Sequence, residues 1–206
     1  MNTLVILGHP QSNSLCGALA EAYANGATSS GTNVEVLRLG DLEFDPVLRE
    51  REGYAGTEAK LEPDLRRAQE MIARADHLVF VFPSWWGSMP ALLKGFVDRA
   101  FLPGFAFKPR QDSSFPERLL AGKTARIITT LDTPSFWHAL VYRAPGDNAL
   151  RRATLEFCGV RPVRVTRFDQ VRYSSPEIRT RWLETAHSLG VRDGRGVHRG
   201  QPVLAQ

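Results

Sequence analysis

The run HLVFVF at residues 77–82 shows no alternation of apolar and polar side chains. A strand with one wet face would alternate. A strand without alternation is covered on both faces, as happens in parallel sheets flanked by helices. The rest of the chain agrees. Thr3–Leu7, Asn33–Leu37, Thr124–Leu131 and Val160–Phe168 read as further strands. Leu15–Thr28 reads as a helix, because Leu15, Leu19 and Tyr23 recur at i, i+4 and i+8. Pro63–Ala75, Pro90–Phe101, residues 147–158 and Pro176–Leu189 follow as helices. Strands alternating with helices predict an α/β fold: a doubly wound, five-stranded parallel sheet in a three-layer α/β/α sandwich. The 206 residues suit one domain, placed at 1–190. A Gly- and Arg-rich stretch over 191–206 reads as a flexible tail. Residues 40–60 form a long polar connection.

Charge and composition exclude several classes. Lys+Arg 26 against Asp+Glu 22 gives a net charge of +4, and the two signs are interspersed. The balance implies weak attraction for small anions and offers no basic stripe for nucleic acid. No stretch approaches the ~20 apolar residues of a membrane span. The opening MNTLVILGHP has no basic leader. These readings predict a soluble, cytoplasmic protein without an integral membrane segment. Cys16 and Cys158 lie far apart with no CxxC, and the five histidines show no HExxH spacing. Buried thiols and no structural metal are expected.

In an open parallel sheet, ligands bind at the carboxyl ends of the strands, where the strand order reverses. The loops after strands one, three and four are therefore informative. The first is GHPQSNSL, residues 8–15. Ser12, Asn13 and Ser14 stand where a helix begins, so they either cap it or, with its free amides, bind an anion. The dinucleotide fingerprint GxGxxG is missing. Gly122-Lys123-Thr124 lacks the first glycine of a phosphate loop, since Glu117 holds that place, and it leads into a strand. The second loop is PSWWG, residues 83–87. Either a planar aromatic ligand lies against Trp85, Trp86 and the open backbone at Gly87, or one Trp packs inward and the other covers the sheet edge. The third is TTLDTPS, residues 129–135, whose threonines offer hydroxyls to a polar ligand edge and whose Asp132 suits a capping role.

Together these loops resemble the flavodoxin-like NAD(P)H:quinone oxidoreductases, over roughly residues 1–168. FVFPSWWGSMPALLKGFVDRAF is similar to the family's FPxxWxxxPAxLKGxxDRxF, with Pro83, Trp86, Pro90, Leu93, Lys94, Gly95, Asp98, Arg99 and Phe101 on matching positions. DLEFDPVL at 41–48, GFAFK at 104–108 and EFCG at 156–159 resemble other family segments. The resemblance implies a flavin-dependent enzyme that reduces quinones or similar small acceptors by ping-pong hydride transfer from NAD(P)H. His9, Asn13, Ser14, Leu15 and Cys16 would line the phosphate and ribityl end of the flavin. Pro83, Ser84, Trp85, Trp86 and Gly87 would hold its ring system, and Thr129, Thr130, Leu131 and Asp132 would meet its polar edge. Trp86, His138 and Tyr142 would contact the acceptor. No acid–base dyad is required, because the cofactor carries the chemistry. Many members read TTGG where this chain has Thr-Thr-Leu-Asp, and Cys16 stands where a polar Asn is frequent, which favours FMN with FAD as the alternative. A homodimer is implied, closed by the aromatic segments Phe101–Phe107 and Ser135–Tyr142. Two other functions fit a flavin-binding chain: a flavodoxin-type electron carrier, and a regulatory ancillary subunit of a membrane transporter. The choice of NADH or NADPH and the physiological acceptor stay open at this level.

Overall fold

A computed structural model describes residues 1–49 and 61–196. In chain order the elements are β1 (Asn2–Leu7), α1 (Leu15–Ser29), β2 (Asn33–Arg38), α2 (Pro63–Arg74), β3 (His77–Pro83), α3 (Ala91–Ala100), β4 (Phe107–Lys108), β5 (Glu117–Arg118), β6 (Thr124–Thr130), α4 (Ser135–Leu140), α5 (Pro145–Asn148), a π-helix (Ala149–Glu156), β7 (Val163–Phe168) and α6 (Pro176–Gly196). Five strands form one parallel sheet in the order β2-β1-β3-β6-β7. This is the doubly wound order anticipated from the sequence, and its direction of winding reverses between β1 and β3.

Each central strand divides its side chains between two cores. Leu4, Ile6, Leu78, Phe80 and Phe82 face α2, α3 and the π-helix. Val5, Leu7, Val79, Val81 and Ile128 face α1 and α6. β3 is buried at every position, so the unbroken apolar run is explained by cover on both faces.

The helical half of the most specific sequence motif is a packing device. A Cβ at Gly95 would meet Cβ of Pro46 at 2.4 Å, so the bare backbone of α3 lets the 42–48 segment lie directly on the helix. Arg99, buried beside it, donates to the carbonyl oxygen of Asp45 at 2.6 Å and to both carboxylate oxygens of Glu62. Phe44 stacks edge-on against Phe96. The two stretches of the motif thus recognise each other. Lys94 and Asp98 pair across one helical turn on the exposed face.

Several boundaries differ from the sequence reading. The last strand begins at Val163, because Pro162 has no N–H to give the ladder. The hairpin β4–β5 and the short helices α4 and α5 had no periodic signal. α6 continues through residues 191–196, which were placed in the tail. Gly190 and Gly194 are contact points: a Cβ at Gly190 would meet the carbonyl oxygen of Tyr23 at 2.2 Å. Residues 50–60 of the long connection and residues 197–206 of the tail lie outside the described residues. Among the aromatic segments, Phe101 is buried and Phe105 and Phe107 pack against their own core. That half of the expected dimer surface is therefore internal. Among the described residues no helix is long and apolar enough to cross a membrane.

Candidate functional site

The carboxyl ends of β1, β3 and β6 bring the three loops together. After β1, Ser14 caps α1: its Oγ accepts from the amide of Gly17 at 3.1 Å and donates to the carbonyl of Gln11 at 2.9 Å. Ala18 donates to the carbonyl of Ser14, as the first bond inside the helix. The amides of Leu15 and Cys16 belong to the first turn, which has no intrahelical acceptor, and no partner for them occurs among the described residues. Ser12 and Asn13, in the loop just before them, are exposed, and a helix N-terminus of this kind can receive an anion. His9 Nδ1 accepts from the amide of Gln11 at 2.9 Å, and its ring meets Trp85 edge-on at 5.7 Å. The first loop is thereby joined to the second.

After β3, the amide of Ser84 binds the carbonyl of Thr130 at 2.7 Å. The chain then makes a two-residue turn. Trp85 and Ser88 exchange both backbone hydrogen bonds at 2.9 Å, with Trp86 at φ 53° and Gly87 at φ 74° between them. Positive φ at both central residues is the pattern of a type I′ turn, which suits glycine and is adverse for tryptophan. Holding Trp86 there costs about 1–3 kcal/mol. The ring is also fully exposed, at 103%, and Trp85 is half-exposed. Neither tryptophan fills the core. Gly146 donates to the carbonyl of Gly87 at 3.0 Å and ties the turn to the start of α5.

After β6, Thr130 turns its hydroxyl to the thiol of Cys16 at 3.4 Å. Burial pushes that thiol up to about 11, and the Thr130 bond only partly opposes it, so Cys16 stays a neutral packing group. Cys158 is likewise free and buried. The Thr129 hydroxyl is buried with no partner among the described residues. Leu131 is buried, so it forms a wall of the site and leaves its middle open. Asp132 accepts from the amide of Arg172 at 2.9 Å, so its capping role is toward the turn after β7 rather than toward α4.

These loops bound a cleft of about 940 Å³, lined by Ser84–Gly87, Leu131–Thr133, His138, Tyr142, Pro145 and Arg172. Of the residues anticipated from sequence, Ser84, Trp85, Trp86, Gly87, Leu131, Asp132, His138 and Tyr142 meet in this wall. His9, Asn13, Ser14, Leu15, Cys16, Pro83, Thr129 and Thr130 do not line it; the first loop continues outward from its edge beside Trp85. His138 is buried, with its Nε2 unpartnered among the described residues and 3.8 Å from Asp147 Oδ2. Asp147 in turn receives Nε of Arg167 at 2.6 Å. Thr133, Pro145, Arg172 and this Asp147–Arg167 pair were not foreseen. The signal for Arg172 was available: the turn after the fifth strand opens at the same end of the sheet as the loops that were considered.

Comparison with known proteins places these features in context. A family model described as "Flavodoxin-like fold" matches residues 1–188. An "Uncharacterized NAD(P)H oxidoreductase" of Haemophilus influenzae is 27% identical over 192 residues, covering 90% of this chain and 92% of that protein. NAD(P)H dehydrogenase (quinone) 1 of Cavia porcellus is 27% identical over 201 residues, covering 87% of this chain and 72% of the relative. The crystal structure of Smu.1420 from Streptococcus mutans UA159 superposes with a TM-score of 0.78 at 30% identity, covering 93% of this chain and 100% of that one.

Proposed function

We propose, from the premise that this chain belongs to the flavodoxin-like fold family, that it is a flavin-dependent NAD(P)H oxidoreductase whose acceptors are quinones or similar small molecules. Relatives bearing the names NAD(P)H oxidoreductase and NAD(P)H dehydrogenase (quinone) support the reading. The observation that carries it is the strained turn that holds Trp86 out of the core, in the wall of a cleft of about 940 Å³ at the carboxyl ends of β3 and β6.

The residues fit a flavin mononucleotide. The amides of Leu15 and Cys16, with Ser12, Asn13 and His9, would hold its phosphate, as a helix N-terminus does. The backbone of Pro83–Gly87 would carry the ring, and Thr129–Asp132 would meet its polar edge. Cys16 has its thiol turned to Thr130 and offers nothing to a pyrophosphate, so FMN is preferred over FAD. The bound flavin would supply two-electron transfer between the nucleotide and the acceptor. The protein's part is to stack each partner against Trp86, to exclude water with Leu131, Tyr142 and Pro145, and to present His138 to the acceptor. With no membrane-spanning helix among the described residues, action in the cytoplasm is part of the proposal.

The direct test is to purify the protein, record its visible spectrum and identify the released flavin by mass. Flavin bands, with steady-state NAD(P)H oxidation in the presence of a quinone, are expected. If excess FMN and FAD both fail to bind at micromolar levels, the reading is wrong. Binding without turnover would indicate an electron carrier.

Trp86→Ala should weaken flavin or acceptor binding by about 1–3 kcal/mol, the scale of lost stacking and burial. Stability should change little, because the ring touches solvent in the free chain. Unchanged affinities and kinetics would show that Trp86 has no part in the site.

Assembly is the third expectation. Phe136, Leu140, Val141 and Tyr142 are each more than half exposed, beside the exposed Trp86. A symmetric dimer that buries this lip would close the open side of the cleft. Light scattering on flavin-loaded protein should give a dimer mass. A fully active monomer at tens of micromolar would mean that one chain completes the site.

A further inference from the structure

One wall of the cleft has no task in the chemistry described above. It is the turn after β7. Gln170 takes φ 55° and reverses the chain there. Val171 then donates to the carbonyl of Leu131 at 3.2 Å, and the Arg172 amide donates to Asp132 Oδ1 at 2.9 Å. From the α6 side, Arg179 donates to the carbonyl of Val171 at 3.2 Å and to the Ser174 hydroxyl at 2.9 Å. The backbone of residue 172 is thus fixed against the cleft from both sides.

Its side chain is used differently. Arg172 is exposed, lines the cleft, and makes no ion pair or side-chain hydrogen bond among the described residues. Arg167 and Arg179 nearby are each engaged with the protein itself. Arg172 is also the only Lys or Arg in the described lining. Around it the surface is largely aromatic and aliphatic. Asp132 is the one carboxylate on that wall, and one of its oxygens already accepts from the Arg172 amide. A guanidinium held on a fixed backbone at the edge of a flat apolar slot matches a planar molecule with an oxyanion at one end.

We propose that Arg172 is a specificity-determining residue that pairs with an oxyanion on the molecule entering the cleft. The proposal rests on the reading of this cleft as the reaction site. The oxyanion has two sources: an acidic substituent on the acceptor, or a phosphate of the nicotinamide nucleotide. Both present the same fork-shaped acceptor to the guanidinium.

The experiment compares wild type with Arg172→Gln and Arg172→Lys in the flavin-loaded protein. The acceptors are 1,4-naphthoquinone and 1,4-naphthoquinone-2-sulfonate, each varied against NADH and NADPH. Binding of the sulfonate is also titrated through quenching of tryptophan fluorescence, since Trp85 and Trp86 line the slot. Arg172→Gln should lower kcat/KM and affinity for the sulfonate by about fivefold to tenfold, between a screened surface pair and a charge-assisted bond. The neutral quinone should change by less than about twofold, and Arg172→Lys should recover part of the loss. A fall confined to kcat/KM for the nucleotide would assign the oxyanion to its phosphates. Equal falls for the neutral and charged quinones, or no fall for any partner, would overturn the proposal. A wild-type chain that binds the sulfonate but oxidises no NAD(P)H would sink the oxidoreductase reading, and the titration would still decide the role of Arg172.

Discussion

Asp193→Ala should destabilise the protein by about 3–5 kcal/mol, the cost of leaving a buried charge without its partner. Asp193 lies near the end of α6 and is 2% exposed. It receives Nε and Nη2 of Arg126, the latter at 2.9 Å, and the hydroxyl of Tyr23 at 2.9 Å. His77 Nε2 stands 3.6 Å away, and Arg126 is itself buried. Without the carboxylate, Arg126 would keep the Thr166 hydroxyl at 2.9 Å but lose its buried counter-charge. Urea denaturation measures the loss, and a change below about 1 kcal/mol would show that the end of α6 is not docked in solution. The double variant Arg126→Met with Asp193→Leu should recover much of the stability, because it removes both charges. The pH dependence has a defined sign. Burial pushes the Asp193 carboxyl up, but the bonds and charges of Arg126 and His77 outweigh it and hold the group well below the usual carboxylate range. Its contribution is present above the unfolded value near ~3.9 and is lost as pH falls below it toward the folded value. Wild type should therefore lose stability below about pH 4 more steeply than the double variant. His77 and Thr124 open β3 and β6, at the opposite end of the sheet from the cleft. The folded fraction of Asp193→Ala should keep its flavin affinity.

This cluster marks where the sequence stopped being informative. The strands and large helices were legible, because burial on one face or two leaves a period in the apolar residues. Sheet order was legible only through alternation and through the family resemblance. Asp193 was hidden inside GVRDGRG, most of which was placed in a Gly- and Arg-rich tail. Glycine gives the same local signal whether it ends a helix or lets another helix touch its backbone, and only the position of Tyr23 distinguishes the two. The motif at 90–101 carried the family resemblance and no candidate site residue. It identified the family, yet Gly95 and Arg99 act on the 42–48 segment, away from the cleft. The tryptophan turn was the opposite case. Two large rings between a strand and a helix, next to a glycine, left a planar ligand or inward packing as the alternatives, and the turn leaves both rings out of the core. Arg172 was missed because the turn after the fifth strand was left out of the loops considered. Its place depends on Gln170 reversing the chain and on Asp132 receiving an amide forty residues away in sequence.

Gly17→Ala should weaken flavin binding by about 2–4 kcal/mol, the scale of one or two charge-assisted hydrogen bonds. A Cβ at position 17 would lie 1.9 Å from the carbonyl oxygen of Ser12. That atom is backbone and can yield only if the 9–14 loop moves. Movement there breaks the bond between Gly17 and the Ser14 hydroxyl and shifts Ser12 and Asn13 relative to the amides of Leu15 and Cys16. Alanine favours a helix over glycine by up to about 1 kcal/mol, so α1 itself is not the weak link. The proposed phosphate site should be lost while most of the fold is kept. Isothermal titration with FMN, alongside circular dichroism, separates the two. If the variant is folded and binds FMN as tightly as wild type, the first loop does not hold the phosphate. Asn13→Asp gives a second arm for the case where Gly17→Ala fails to fold. Asn13 is exposed, so the substitution leaves packing alone and places a negative charge where the phosphate would sit. FMN affinity should fall, and the fall should shrink at high salt, because the repulsion between exposed charges is screened. Riboflavin, which has no phosphate, should bind Asn13→Asp and wild type alike. An equal loss for riboflavin and FMN would move the effect from the phosphate to the ring, and the assignment of this loop would have to be given up.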